Sequence, residues 1–213
     1  MRAVLILSLL GGLLLAKDDI PVKITPKIPY VYTIDSGVKV KVQRIQDTSN
    51  RLSDDFTRTS RLCPPHCIQP TKAAPNVETV GDLEVVKFIR DKVPSKKGFL
   101  IDVRDKRWFE LETIPGAINI PYYVFDSKKK SVIEKLFKIL GAKKKGDGSW
   151  DFSNAKEVML FCNGLWCGKS PKVARKLIEL GYPANKIFYY RAGLQGWKLL
   201  GLTTVIHKAH EAK

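Results

Sequence analysis

No stretch of this sequence is long and apolar enough to cross a bilayer comfortably. The one candidate, residues 3–16, holds only apolar residues, glycine and serine. Fourteen residues at ~1.5 Å each fall short of ~30 Å of hydrocarbon. Arg2 precedes this run and Lys17-Asp18-Asp19 ends it, so residues 1–16 read as an export signal. Cleavage after Ala16 would place Leu14 where a small residue is usual. The alternative is a short uncleaved anchor, the only reading that implies a membrane.

Acidic residues are scarce. Asp and Glu number 21 against 37 Lys and Arg, giving a formal net charge of +16. Such a field attracts anions. The chain has no nucleic-acid module, zinc-finger spacing or aromatic-rich basic strand. Its lysines are scattered over predicted helices and turns, as on a solvated face. These features argue against nucleic acid and leave small anionic substrates as the expected partners.

Cysteine is also scarce: four in 213 residues. They form two close pairs, Cys63 with Cys67 and Cys162 with Cys167. In an exported chain such pairs suit disulfides, although four cysteines allow three connectivities. The simplest pairing is a Cys63–Cys67 staple. The spacings are loose for tetrahedral zinc, so no metal is expected. Cys63-Pro64-Pro65-His66-Cys67 is not a haem-attachment order either, because His66 precedes the second cysteine.

At 44% hydrophobic residues the chain can build a core, and its length suits one α/β domain with an appendage. Residues 17–75 read as an N-terminal arm. Strands at 30–34 and 38–45 flank Asp35-Ser36-Gly37, which predicts a hairpin. A polar, aperiodic stretch follows, and two prolines forbid a helix at Cys63-Pro64-Pro65-His66-Cys67. The main domain spans residues 76–205, with a tail at 206–213. Helical spacing predicts a helix over 82–92 and an amphipathic one over 131–140, with Val132, Ile133, Leu136, Phe137 and Leu140 inward. Short apolar runs predict buried strands at 98–103, 158–161 and 186–190, with a shorter one at 118–120. A helix over 170–180 carries Ser170 as a cap, Pro171 in its first turn and Gly181 as its stop. Trp197, Leu199 and Leu200 read as packing residues. Alternating strands and helices imply a parallel sheet covered on both faces, and no internal repeat is visible.

The chemistry concentrates where the strand ending at Phe161 gives way to Cys162-Asn163-Gly164-Leu165-Trp166-Cys167-Gly168-Lys169-Ser170. A thiol at a strand's carboxyl end lies where open α/β sheets bind ligands. Glycines at 164 and 168 would let loop amides curl around the sulfur. The next helix points its positive end at the same place, and Lys169 adds a full charge. All three favour thiolate over thiol. Trp166 either walls the pocket or packs on the arm.

Four ordered segments resemble the rhodanese-like family. They are Phe99-Leu100-Ile101-Asp102-Val103-Arg104, Ile114-Pro115-Gly116-Ala117-Ile118-Asn119-Ile120-Pro121, the loop from Leu160 to Pro171, and Tyr190-Arg191-Ala192-Gly193-Leu194-Gln195-Gly196-Trp197. The loop and the Cys-Pro-Pro-x-Cys arm resemble an exported bacterial subgroup. The resemblance implies a three-layer rhodanese-like α/β domain behind a small β-rich arm. It also implies sulfur transfer through a Cys162 persulfide, with Asn163, Gly164, Leu165, Trp166, Cys167, Gly168 and Lys169 around the substrate. Asp102 and Arg104 would brace the site. Donors would be thiosulfate or polysulfide, acceptors a thiol or protein, and the location periplasmic; no cofactor is implied.

Departures from the family pattern keep other functions open. Glu112-Thr113 replace the family's Gly-His, the loop is long, and it contains no arginine. A phosphatase would need that arginine to hold phosphate. A non-enzymatic sulfur carrier remains an alternative, as does a Cys162/Cys167 dithiol redox protein. Cys167 itself could resolve a persulfide, lock the loop by oxidation, or simply pack.

Overall fold

The computed structural model describes residues 20–207. The expected export signal and most of the tail, residues 208–213, lie outside them.

The arm opens with a hairpin of β1 (Tyr30–Asp35) and β2 (Val38–Gln43), turning at Ser36-Gly37. The rest of the arm is irregular apart from a 3-10 turn at Asp55–Thr57. Then follow β3 (Glu78–Val80), α1 (Asp82–Asp91), β4 (Gly98–Asp102), α2 (Lys106–Leu111), β5 (Ala117–Asn119), α3 (Tyr122–Phe125) and α4 (Lys130–Ile139). A small hairpin of β6 (Lys143–Lys144) and β7 (Trp150–Asp151) leads to β8 (Glu157–Phe161), α5 (Lys169–Glu179), β9 (Ile187–Tyr190) and α6 (Gly193–Leu199).

Five strands form one parallel sheet in the order β3-β9-β8-β4-β5. Its strands alternate sides with period two, as the pleat requires. Ile101, Val158, Leu160, Ile187 and Tyr189 join the layer of Phe125, Phe137, Val173 and Leu177 from α3, α4 and α5. Leu100, Met159, Phe161 and Tyr190 join Val86 and Ile89 of α1, Trp197 of α6, and Val31 and Val42 of the hairpin. Both faces of the sheet are therefore apolar, which explains why these strands read as continuous hydrophobic runs. Fully burying one such side chain contributes roughly 1.5–3 kcal/mol.

The arm closes one of those faces. Thr33 Oγ1 donates to the Ile89 carbonyl at 2.7 Å, and the Gly116 N–H donates to Asp35 at 2.8 Å. His207 stacks on Phe109 and lies 2.8 Å from Asp35, so the start of the tail packs against the arm.

Some expectations need correction. Leu199 and Leu200 are exposed, because α6 turns only Leu194 and Trp197 into the core. Val132 and Ile133 are only partly buried, and within α4 only Leu136 and Phe137 are buried. The helix after the cysteine loop begins one residue early, at Lys169, with Gly168 before it. Ser170 thus sits inside the first turn and makes no cap bond. β3 and the β6–β7 hairpin escaped the sequence reading. Three residues, or a Lys-Lys pair, carry too little periodicity to register. Lys128 to Lys130 and Lys143 to Lys145 are exposed, as expected of a solvated face.

Candidate active site

The strand order creates the site. β4 leads through α2 to β5 on one side of the sheet, whereas β8 leads through α5 to β9 on the other. Connections diverge between β4 and β8, and a crevice opens beyond their carboxyl ends, the usual ligand position in such sheets. Asp102 ends β4 and Phe161 ends β8, paired in register. Cys162 follows immediately.

Cys162 is 2% exposed and is joined to Cys167, 6% exposed, as a disulfide. Their Cα atoms are 6.4 Å apart. The Ser170 hydroxyl donates to Cys162 Sγ at 3.3 Å, and the Cys167 carbonyl oxygen lies equally close at 3.3 Å. The expected cup of loop amides does not surround this sulfur in the disulfide: among the described residues no backbone N–H donates to it. The loop's outward carbonyls are instead taken by the arm. The Cys67 N–H donates to the Trp166 carbonyl at 3.3 Å, and the Gln69 N–H donates to the Leu165 carbonyl at 3.0 Å. The N–H groups of the first turn of α5 have no intrahelical acceptor and lie beside Ser170.

Gly164 and Gly168 were expected to adopt unusual dihedrals, and neither has a positive φ. Close approach explains them instead. A Cβ on Gly164 would come within 2.7 Å of Gln195 Oε1, and one on Gly168 within 3.3 Å of Gln69 Oε1. Gly193 is different. Its φ is +60°, and a Cβ there would collide with the Cys162 carbonyl oxygen. That proximity lets the start of α6 grip the loop. The Leu194 N–H donates to the Cys162 carbonyl at 2.9 Å, and the Gln195 N–H donates to the Asn163 carbonyl at 2.8 Å.

Asp102 and Arg104 form a buried ion pair, 0% and 1% exposed, with Nη2 2.6 Å from Oδ2. Around it, Thr113 Oγ1 donates to Asp102 at 2.8 Å, and Arg104 donates to the Glu112 carbonyl at 2.6 Å and to Asn163 Oδ1 at 3.3 Å. Thr113 thus fills the family's histidine position by satisfying Asp102. This network ties the end of β4 to the cysteine loop. Buried charges persist only when so satisfied.

Lys169 pairs with Asp105, and no hydrogen bond joins it to the sulfur among the described residues. Its Nζ lies 2.6 Å from Asp105 and 4.5 Å from the Tyr122 ring centroid. Leu165 is exposed, while Trp166 is half-buried and donates from Nε1 to Gln195 at 3.1 Å.

An open cleft of about 380 Å³ lies over the loop, bounded by Asn163, Trp166, Cys167, Gly168 and Lys169. The arm supplies the opposite wall through Phe56, Arg61 and His66. Arg61 lies 4.2 Å from the Trp166 ring centroid, and His66 meets that ring edge-on at 4.9 Å. Arg61 also holds the Asp55 carboxyl below its ordinary range through their hydrogen bond. Trp166 therefore both walls the cleft and packs on the arm. Gln195 spans the assembly, donating to the Phe56 carbonyl at 2.8 Å. Arg191 does likewise to the Gln69 carbonyl at 2.7 Å. Lys198 joins Asp54 of the arm to Glu112; burial opposes its charge, but the two carboxylates prevail and hold its pKa above the ordinary value.

Cys63 and Cys67 form the second disulfide, with Cα atoms 4.9 Å apart. No three or more His, Cys, Asp or Glu side chains gather to hold a metal among the described residues. Sequence reasoning missed Phe56, Arg61, Gln69, Ser170 and Gln195. Only Ser170 and Gln195 lay in segments already singled out; nothing in the arm's irregular pattern marked the others.

A rhodanese-related protein from Thermoplasma volcanium shares 21% identity over 61% of this chain and 98% of its own, with a TM-score of 0.40. A Bacillus halodurans protein shares 19% over 64% and 82%, with a TM-score of 0.44. The As-Sb reductase of Leishmania major shares 23% over 57% and 78%, at 0.40. No curated protein matches. The family model for the rhodanese-like domain matches residues 84–200, more than half of the 213-residue chain, and the chain belongs to that family.

Proposed function

We propose that this protein is a sulfurtransferase whose nucleophile is Cys162. One observation carries the reading. Cys162 stands at the sheet's switch point, and the hydroxyl of Ser170, in the first turn of α5, donates to its sulfur at 3.3 Å. A helix N-terminus and a hydroxyl donor both favour a thiolate there.

The disulfide must first be reduced. The Cys162 thiolate then attacks the outer sulfur of thiosulfate. The bond between the two sulfurs of thiosulfate breaks, and sulfite leaves with its electron pair. The product is a Cys162 persulfide anion. An acceptor thiolate attacks the terminal sulfur, carries it away and regenerates the Cys162 thiolate. This is covalent catalysis without a resident group. Asn163, Gly164, Leu165, Trp166, Gly168 and Lys169 form the loop against which the anion would settle. The proposal includes small anionic donors such as thiosulfate or polysulfide, a thiol or protein acceptor, and an exported location, for which the arm's disulfide speaks.

Intact-mass measurement on reduced, desalted protein after thiosulfate tests the reading. Wild type and Cys167→Ser should gain sulfur, and Cys162→Ser should not. An adduct that persists in Cys162→Ser but disappears in Cys167→Ser overturns it. Turnover with thiosulfate and cyanide separates an enzyme from a carrier loaded by another protein.

A further inference from the structure

The proposed nucleophile is locked in a buried disulfide, and the second disulfide lies against its loop. Exposure falls in steps: Cys63 is exposed, Cys67 half-buried, Cys167 6% exposed and Cys162 2% exposed. The Cys67–Gln69 segment touches both chain neighbours of Cys167. The Cys67 N–H bonds the Trp166 carbonyl at 3.3 Å, and the Gln69 side chain covers Gly168. His66, beside Cys67, shares the cleft wall with Cys167.

We propose that the two cysteine pairs form an internal dithiol–disulfide relay, in which Cys63–Cys67 is the port that reduces and thereby activates Cys162. The inference rests on Cys162 being the working nucleophile. An external dithiol first exchanges with the exposed Cys63–Cys67 bond; the donor leaves as its disulfide, and Cys63 and Cys67 become thiols. The Cys67 thiolate then attacks Cys167 Sγ. A Cys67–Cys167 bond forms, the Cys162–Cys167 bond breaks, and Cys162 departs as thiolate. The Cys63 thiolate next attacks Cys67 Sγ, restoring Cys63–Cys67 and releasing Cys167 as thiolate. Two electrons and two protons have passed from the donor to the inner pair.

Chemistry selects the sulfur attacked. Exchange is faster when the departing thiol has the lower pKa. Ser170 donates to Cys162 Sγ at 3.3 Å and stabilises charge there, so Cys162 is the better leaving group and Cys167 the target. Cys167 is also the inner sulfur residue that borders the cleft shared with the arm. Cys63 stands in solvent, whereas Cys167 and Cys162 are only 6% and 2% exposed, so a reductant meets the outer pair first.

The test uses the full chain, oxidised, with a limiting amount of dithiothreitol as the dithiol probe, N-ethylmaleimide quenching and peptide mass mapping. In Cys63→Ala the resolving step is gone. A Cys67–Cys167 linked peptide should accumulate, with Cys162 alkylated. In wild type, Cys162 should become alkylatable at least tenfold faster than in Cys63→Ala/Cys67→Ala. The proposal is overturned if Cys63→Ala retains Cys162–Cys167 beside a free Cys67, or if the two opening rates are equal. Chemically reduced, desalted Cys63→Ala/Cys67→Ala should still take sulfur from thiosulfate. If it and the wild type both fail there, the sulfurtransferase reading falls, and the linked peptide alone decides the relay.

Discussion

Ser170 donates its hydroxyl to Cys162 Sγ at 3.3 Å from the first turn of α5. A serine there would ordinarily read as a helix cap, yet its oxygen faces the sulfur. Ser170→Ala should therefore leave the fold intact and weaken the thiolate. A hydrogen bond to a charged group is worth about 1.5–3 kcal/mol. The alkylation profile of reduced protein against pH should move to higher pH. An unmoved profile would show that the hydroxyl only packs.

Breaking the ion pair beneath the loop should cost stability. Arg104→Ala leaves the Asp102 carboxylate buried without its cation. Removing one member of such a pair typically costs about 3–5 kcal/mol. Thermal unfolding should show a large fall in Tm, and Thr113→Val a smaller one.

Gly193→Ala should damage the site and the fold together. The substitution meets a positive φ and the Cys162 carbonyl oxygen at once. Strain of this kind costs on the order of 1–3 kcal/mol. Expected outcomes are a lower Tm and slower sulfur uptake, measured on the same preparation. Gly146→Ala, with open space around its Cβ, is the control.

Lys198 makes the arm's attachment pH-dependent in one direction. Burial opposes its charge, but Asp54 and Glu112 raise its folded pKa above that of the unfolded chain. Its contribution is therefore complete below the ordinary lysine range and is lost as pH rises through the folded value. Denaturation midpoints of wild type and Lys198→Met should differ at neutral pH and converge only in strong alkali. Convergence already near neutrality would refute the assignment.

Much of the main domain was legible in the chain. Both faces of the sheet are covered, so β4, β8 and β9 announce themselves as apolar runs. The amphipathic helices carry their own period, and the cysteine at the end of β8 followed from local order alone. The arm was not legible beyond its hairpin. Arg61, Phe56 and Gln69 act through contacts with residues more than a hundred positions away, such as Trp166, Gln195 and Arg191. Separations of that size leave no trace in local periodicity.

Composition and spacing by themselves determined the α/β class and placed a cysteine at the end of an apolar strand, because each depends on neighbours along the chain. Tertiary structure decided the rest. It turned Ser170 from cap to sulfur partner, gave Gly164 a reason in close packing, sent Lys169 to Asp105 and set the outer cysteine pair against the inner one. Those outcomes depend on which distant surfaces meet when the sheet closes, and one-dimensional patterns do not encode that meeting.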